Sequence, residues 1–178
     1  MGRGLRPDRV ARSVFDIDLA ALRRMGITAL CLDLDNTLVG WNRPPDERIR
    51  SWLAAVAELG FRVAIVSNNS AARVAAFCDE LGLHGVAVAH KPRRSGFRRA
   101  LEILGAEPSR AAVIGDQIWT DVWGGNRAGC FTVLVRPLER REFLGTRVAR
   151  AFERLWLLLL RRIDPPASMN RPLPTDPR

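Results

Sequence analysis

The sequence predicts an α/β domain with a parallel sheet of about five strands and helices on both faces. Three observations lead there. Short apolar runs of strand length alternate with longer stretches of helical period. The helical stretches begin and end at residues that start and stop helices. The polar clusters fall directly after the apolar runs, where open α/β sheets keep their ligand sites. A chain of 178 residues suffices for one such domain with a substantial core.

Thr28 to Leu32 is the first predicted strand. Asp46 to Leu59 follows as a helix: Pro44-Pro45 precede it, Asp46 caps it, Gly60 stops it, and Ile49, Trp52, Leu53, Val56 and Leu59 form its apolar stripe. Arg62 to Val66 is a second strand. Ser70 to Leu81 is a helix with Val74, Phe77, Cys78 and Leu81 inward and Gly82 after it. Val86 to Ala89 reads as a third strand, Ser95 to Leu104 as a helix ending at Gly105, and Ala111 to Ile114 as a fourth strand. A helical turn is expected after Asp121, then a fifth strand from Phe131 to Val135. Residues 1–163 are expected to form a single domain, and 164–178, rich in proline and polar residues, a disordered tail.

The formal charge of +9 favours anionic partners: nucleic acid, a phosphorylated substrate or an acidic membrane surface. Nearly all of it comes from arginine, so genome composition accounts for it equally well. Cys31, Cys78 and Cys130 are odd in number and lack metal-ligand spacing, and they read as small buried hydrophobes in a reducing compartment. Met1 to Arg12 has no apolar core for a secretory signal, and no run is long enough to span a bilayer. A cytoplasmic protein is expected, with the inner face of the membrane still within its reach.

Four clusters leave the strands on one edge: Asp33 and Asp35; Ser67, Asn68 and Asn69; His90 and Lys91; Gly115, Asp116 and Asp121. Singly, each acid reads as a helix cap or an arginine partner. Converging, they repel one another unless a cation neutralises them, and carboxylate oxygens with little His or Cys suit Mg²⁺. With that ion, Asp33 can attack a phosphate monoester while Asp35 protonates the leaving oxygen and later activates water. Ser67 offers a hydroxyl, and the turn through Asn68 offers backbone N–H groups at a helix start, both suited to phosphate. Lys91 is the chain's sole lysine. A compact ammonium there can sit between a carboxylate and a phosphate, which a guanidinium fork does less well. Asp116 can reach the metal, and Asp121 can orient Lys91 or a metal-bound water.

In order and spacing these motifs resemble the haloacid dehalogenase (HAD) superfamily: Asp33-x-Asp35-x-Thr37, Ser67, Lys91 and Gly115-Asp116-x-x-x-x-Asp121. The resemblance implies a three-layer Rossmann-like fold. It also implies a nucleophile at Asp33, an acid/base at Asp35, phosphate ligands at Ser67 and Lys91, and Mg²⁺ on Asp33, the Asp35 carbonyl and Asp116. A second acid at Asp35 is the phosphatase form of the first motif. Asp33-Leu-Asp-Asn-Thr-Leu-Val, Ser67-Asn-Asn, His90-Lys-Pro and Gly115-Asp-Gln-x-x-Thr-Asp further resemble the YqeG family of subfamily IIIA phosphatases. That family is similar to mitochondrial-type phosphatidylglycerophosphate phosphatases.

The gaps from Thr37 to Ser67 and from Ser67 to Lys91 each hold one helix and one strand, so no cap domain is expected. An uncovered site suits a large or surface-bound substrate, or closure by another subunit. Lys91, Arg93, Arg94, Arg98 and Arg99 could hold an anionic headgroup. From Arg147 to Ile163 the sequence predicts an amphipathic helix, with Val148, Phe152, Leu155, Trp156, Leu159 and Ile163 opposite Arg147, Arg150, Arg154 and Arg161. It can pack on the sheet or lie on anionic lipid. A phospholipid-headgroup phosphatase leads, with a sugar or nucleotide phosphate as a variant substrate. A nucleic-acid binder with a vestigial site is the reading from another class; its five Trp and seven Phe are not interleaved with Arg as stacking platforms would be.

Overall fold

The computed structural model of the chain describes residues 4–139. The helix expected over 147–163 and the tail from 164 lie outside these residues.

The described residues build one six-stranded sheet. In chain order its strands are β1 (Arg9–Ala11), β2 (Ala29–Leu32), β3 (Arg62–Val66), β4 (His84–Val86), β5 (Ala111–Gly115) and β6 (Phe131–Val135). They lie in the spatial order β1-β6-β5-β2-β3-β4, every neighbouring pair parallel. The helices are α1 (Leu19–Arg24), α2 (Glu47–Glu58), α3 (Ala71–Leu81), α4 (Arg94–Leu104) and α5 (Trp123–Ala128).

The period-two alternation of the strands divides the core into two layers. Leu30 and Leu32 of β2 join Ile65, Ile114 and Val133 beneath Leu22, Ile49, Trp52, Val56, Val74 and Phe77, which come from α1, α2 and α3. Ala29 and Cys31 face the other way, with Ala64, Val66 and Val113, onto Phe97, Ala100, Leu101 and Leu104 of α4. Helices therefore cover both faces of a parallel sheet whose strands read as continuous apolar runs. All three cysteines are buried free thiols.

Local signals explain most boundaries. Asp46 accepts from the Ile49 N–H at 2.9 Å and Ser70 from the Arg73 N–H at 3.3 Å, capping α2 and α3. Gly82 and Gly105 end α3 and α4 at φ +64° and +54°.

Four features depart from expectation. The sheet gains β1, too short to show a pattern; Asp8 anchors it, its N–H donating to Thr132 O and its carboxylate accepting the Thr132 N–H. Helix α1 was also not anticipated, although Asp18 caps it through the Ala21 N–H and Leu19 and Leu22 share its buried face. The fourth strand in chain order ends at Val86 instead of beginning there. Val88 and His90 take left-handed φ values of +44° and +52°, so the chain has already left extended conformation. Leu59 is exposed, because α2 ends just before it and its residue turns off the buried stripe.

Gly96 in the first turn of α4 allows a close approach of the helix to the loop at Ala89. A Cβ there would lie 2.6 Å from Ala89 O and 2.7 Å from Ala89 Cβ. Overpacking costs about 1–3 kcal/mol, against about 0.5–1 kcal/mol gained by replacing glycine inside a helix. Gly96→Ala is therefore expected to lower the denaturant midpoint modestly. Activity should fall more than stability, because the displaced Ala89 lies two residues before Lys91. Paired denaturation curves and turnover measurements check this.

Candidate active site

Chain order places β2 and β5 side by side in the middle of the sheet. From β2 the chain runs outward through β3 and β4, then returns through β5 to β6 on the other side. A crevice opens at that switch point beyond the carboxyl ends of the strands. Asp33 leaves β2 there and Asp116 leaves β5. The Asp33 N–H donates to Ile114 O at 2.9 Å, so the two exits stay in register. Asp33, Asp35, Asn36, Thr37, Ser67, Lys91, Asp116 and Asp121 are all buried.

Lys91 binds the cluster together. Its Nζ donates to Asp33 Oδ1 and to Asp121 Oδ1, each at 2.6 Å. Burial by itself would lower the pKa of this ammonium, but the Asp121 and Asp33 carboxylates outweigh it and hold the pKa above the ordinary lysine value. Burial pushes the Asp33 carboxyl up to about 6, with Lys91 opposing the shift and Asp121 adding to it. Lys91 is also clamped at its main chain. Asn68 Oδ1 accepts the Lys91 N–H at 2.7 Å, and Asn68 Nδ2 donates to Lys91 O at 3.1 Å.

Asp121 is aimed by the segment after β5. This segment runs as a π-helical turn over Ile118–Val122, starting before Asp121 instead of after it. Asp121 Oδ2 accepts the Gln117 N–H at 3.1 Å. Gly115 makes room for it, because a side chain at 115 would collide with the Asp121 carboxylate. Thr37 links the other two acids, its Oγ1 lying 3.0 Å from Asp33 Oδ2 and 3.4 Å from Asp116 Oδ1.

Carboxylate oxygens of Asp33, Asp116 and Asp121 can all lie within 4.8 Å of one another. An all-oxygen, all-anionic donor set of this kind fits a hard divalent cation. Lys91 engages Asp33 Oδ1 and Asp121 Oδ1, so Asp33 Oδ2, which Thr37 links towards Asp116, is the Asp33 oxygen left to face one.

Asp35 and Asn68 are directed elsewhere. The Asp35 carboxylate faces away from that cluster, accepting the Asn42 N–H at 3.0 Å, Asn69 Nδ2 at 2.9 Å and Arg73 Nη2 at 3.2 Å. The Asn68 amide is committed to Lys91, so any phosphate contact from this residue has to use what that pairing leaves over. Ser67 Oγ accepts the Asn69 N–H at 3.1 Å and remains at the crevice.

Sequence reasoning passed over Arg73, Asn69 and Asn42 as partners of Asp35. Arg73 lies outside the apolar stripe of α3 and had no motif to mark it. One signal was available: it stands in the first turn of a helix entered directly from a strand, and that turn borders the ligand crevice in such sheets.

Comparison with known proteins relates the chain as a whole to a family. The family described as haloacid dehalogenase-like hydrolase matches residues 37–129. The protein named "Probable phosphatase YqeG" of Bacillus subtilis is 39% identical over 157 residues, 88% of this chain and 91% of that one. The chloroplastic phosphatidylglycerophosphate phosphatase 1 of Chlamydomonas reinhardtii is 29% identical over 162 residues, 85% of this chain but 60% of the algal protein. The cobalt-bound deoxy-D-mannose-octulosonate 8-phosphate phosphatase of Haemophilus influenzae superposes with a TM-score of 0.52 at 16% identity, covering 65% of this chain and 70% of that one. At that identity the superposition speaks for the fold alone.

Proposed function

The chain belongs to the haloacid dehalogenase-like hydrolases and is a phosphatase of that family, and from that premise we propose that it hydrolyses a phosphomonoester on a lipid headgroup through an aspartyl-phosphate on Asp33, with Mg²⁺ as cofactor. The observation that carries the catalytic reading is the shared Lys91 ammonium between Asp33 and Asp121, with Thr37 spanning Asp33 and Asp116.

An Asp33 carboxylate oxygen attacks phosphorus as the phosphorus–ester oxygen bond breaks. The leaving oxygen takes a proton from Asp35. Water then attacks the phosphorus of the aspartyl-phosphate and gives its proton to Asp35, and inorganic phosphate departs with the Asp33 carboxylate restored. Lys91 and Ser67 hold phosphoryl oxygens, and Asp121 keeps Lys91 aimed. Asp33, the Asp35 carbonyl and Asp116 would hold Mg²⁺, which supplies charge neutralisation for the phosphoryl group when bound. For its proton transfers Asp35 exchanges bonds to Arg73 and Asn69 for the substrate oxygen, which makes those two residues its positioning partners.

Support for the lipid substrate comes from the phosphatidylglycerophosphate phosphatase among the relatives, which shares 29% identity with this chain. No helix among the described residues is long and apolar enough to cross a membrane. The arginine-rich amphipathic pattern of 147–163 suits contact with a lipid surface.

A phosphate-release panel tests the reading. Phosphatidylglycerophosphate, sugar phosphates and nucleoside monophosphates are each offered with Mg²⁺ and with EDTA. Turnover is expected to require the metal and to be fastest on the lipid. Metal-independent turnover sinks the mechanism, and a soluble ester turned over faster than the lipid sinks the substrate.

A further inference from the structure

We infer that the mouth of the site is a docking surface for an anionic lipid bilayer, with Trp41, Val88, Trp119 and Leu138 entering the headgroup layer. The inference rests on the lipid-substrate reading above and states how a bilayer-held phosphate meets a nucleophile buried in a crevice. Because every strand is parallel, the segments leaving β2, β4, β5 and β6 all emerge at the edge that carries Asp33 and Asp116. Each carries a large apolar side chain that is partly exposed: Trp41 at 39%, Val88 at 47%, Trp119 at 43%, its ring edge-on to Trp123, and Leu138 at 46%. Among the described residues seven large hydrophobic side chains are exposed, and these four, including both tryptophans, belong to that one edge.

Two of the four are tied directly to site loops. The Leu138 N–H donates to Asn36 O, within the first motif, and the Val88 N–H to Asn69 O, beside Asp35. No inserted domain separates them from the crevice, since residues 33–46 alone join β2 to α2 and 67–70 join β3 to α3.

The residue types suit a bilayer surface better than water. Tryptophan is an amphipathic ring that settles at headgroup level. Val88 is unfavourable twice over, as an exposed apolar side chain and as a β-branched residue at φ +44°. Asparagine would suit that backbone better. Arg43 and Arg136 are exposed on the same edge and supply the cationic charge that anionic lipid attracts. A small soluble phosphate has no use for such a rim.

The full chain is tested in a Trp156→Phe background, so that the tryptophan of the 147–163 segment does not report. Binding is read by cosedimentation with phosphatidylglycerol/phosphatidylcholine vesicles and by tryptophan quenching from brominated lipid. Trp41→Ala with Trp119→Ala is expected to remove most of the quenching, leaving that of Trp52 and Trp123, and to weaken vesicle binding roughly tenfold. Hydrolysis of phosphatidylglycerophosphate in those vesicles should fall in parallel, and by more than p-nitrophenyl phosphate turnover. Val88→Asn should weaken binding by roughly threefold with no loss of thermal stability. Vesicle binding that is undiminished in both variants, or that leaves tryptophan unquenched, overturns the docking surface. Hydrolysis of p-nitrophenyl phosphate with none of phosphatidylglycerophosphate, in micelles or vesicles, instead overturns the substrate reading and the docking inference with it.

Discussion

Asp33→Asn is expected to reduce phosphomonoester turnover by at least roughly a thousandfold, since loss of a covalent nucleophile removes the bond-forming atom itself. The exchange is nearly isosteric. Lys91 retains Asp121 as a partner at 2.6 Å, and Thr37 retains an acceptor at position 33. The variant should therefore fold, and its thermal unfolding and circular dichroism should stay close to those of the parent. Trapping of radiolabelled phosphate on the parent, and its absence in the variant, provides a second readout. Equal turnover by the two proteins would assign the chemistry to other residues.

Lys91→Met is expected to produce the largest loss of stability. The side chain is buried and is shared by two buried carboxylates, so its removal leaves Asp33 and Asp121 uncompensated beside Asp116. Removing one member of such a buried group typically costs about 3–5 kcal/mol. In a domain of this size that lowers the melting temperature by roughly 10 °C. Divalent cation should restore part of the loss, because the acids regain a counter-charge. The melting temperature of the variant should thus respond more to Mg²⁺ than that of the parent, and equal responses would refute this account of the cluster. Arginine is not expected to rescue, since a planar fork does not fit between two oxygens that each approach one ammonium.

The pH dependence follows from the same pair. The Lys91 pKa is raised, so its contribution is complete below the ordinary lysine value and is lost only as pH climbs beyond it towards the raised value. Asp33 adds a slope of the same sign at much lower pH. Its carboxyl is pushed up to about 6, so the stability tied to its proton is lost as pH rises from the ordinary aspartate value to about 6.

Much of the architecture was legible because local chemistry and tertiary demand agree. The runs at 62–66 and 131–135 are strands over the residues their apolar patterns marked, and Ser70, Gly82 and Gly105 bound helices as such residues should. What was illegible was short or context-dependent. Three residues cannot display a period, so β1 became visible only through its pairing with β6. The register of β4 depended on Val88 and His90 accepting left-handed backbone, which their side chains do not announce.

The same division runs through the site. By itself the sequence determined the alternating order of elements, and with it that Asp33, Ser67, Lys91 and Asp116 leave strands on one edge, because parallel strands leave a sheet at the same end. Only the tertiary structure decided which atoms meet there. It turned Lys91 onto Asp33 and Asp121, set Asn68 to clamp Lys91, and gave Asp35 to Arg73, Asn69 and Asn42. Those choices depend on distances of a few ångströms between segments far apart in the chain. A buried charge takes whichever partner the packing brings within reach, and no local pattern encodes that reach.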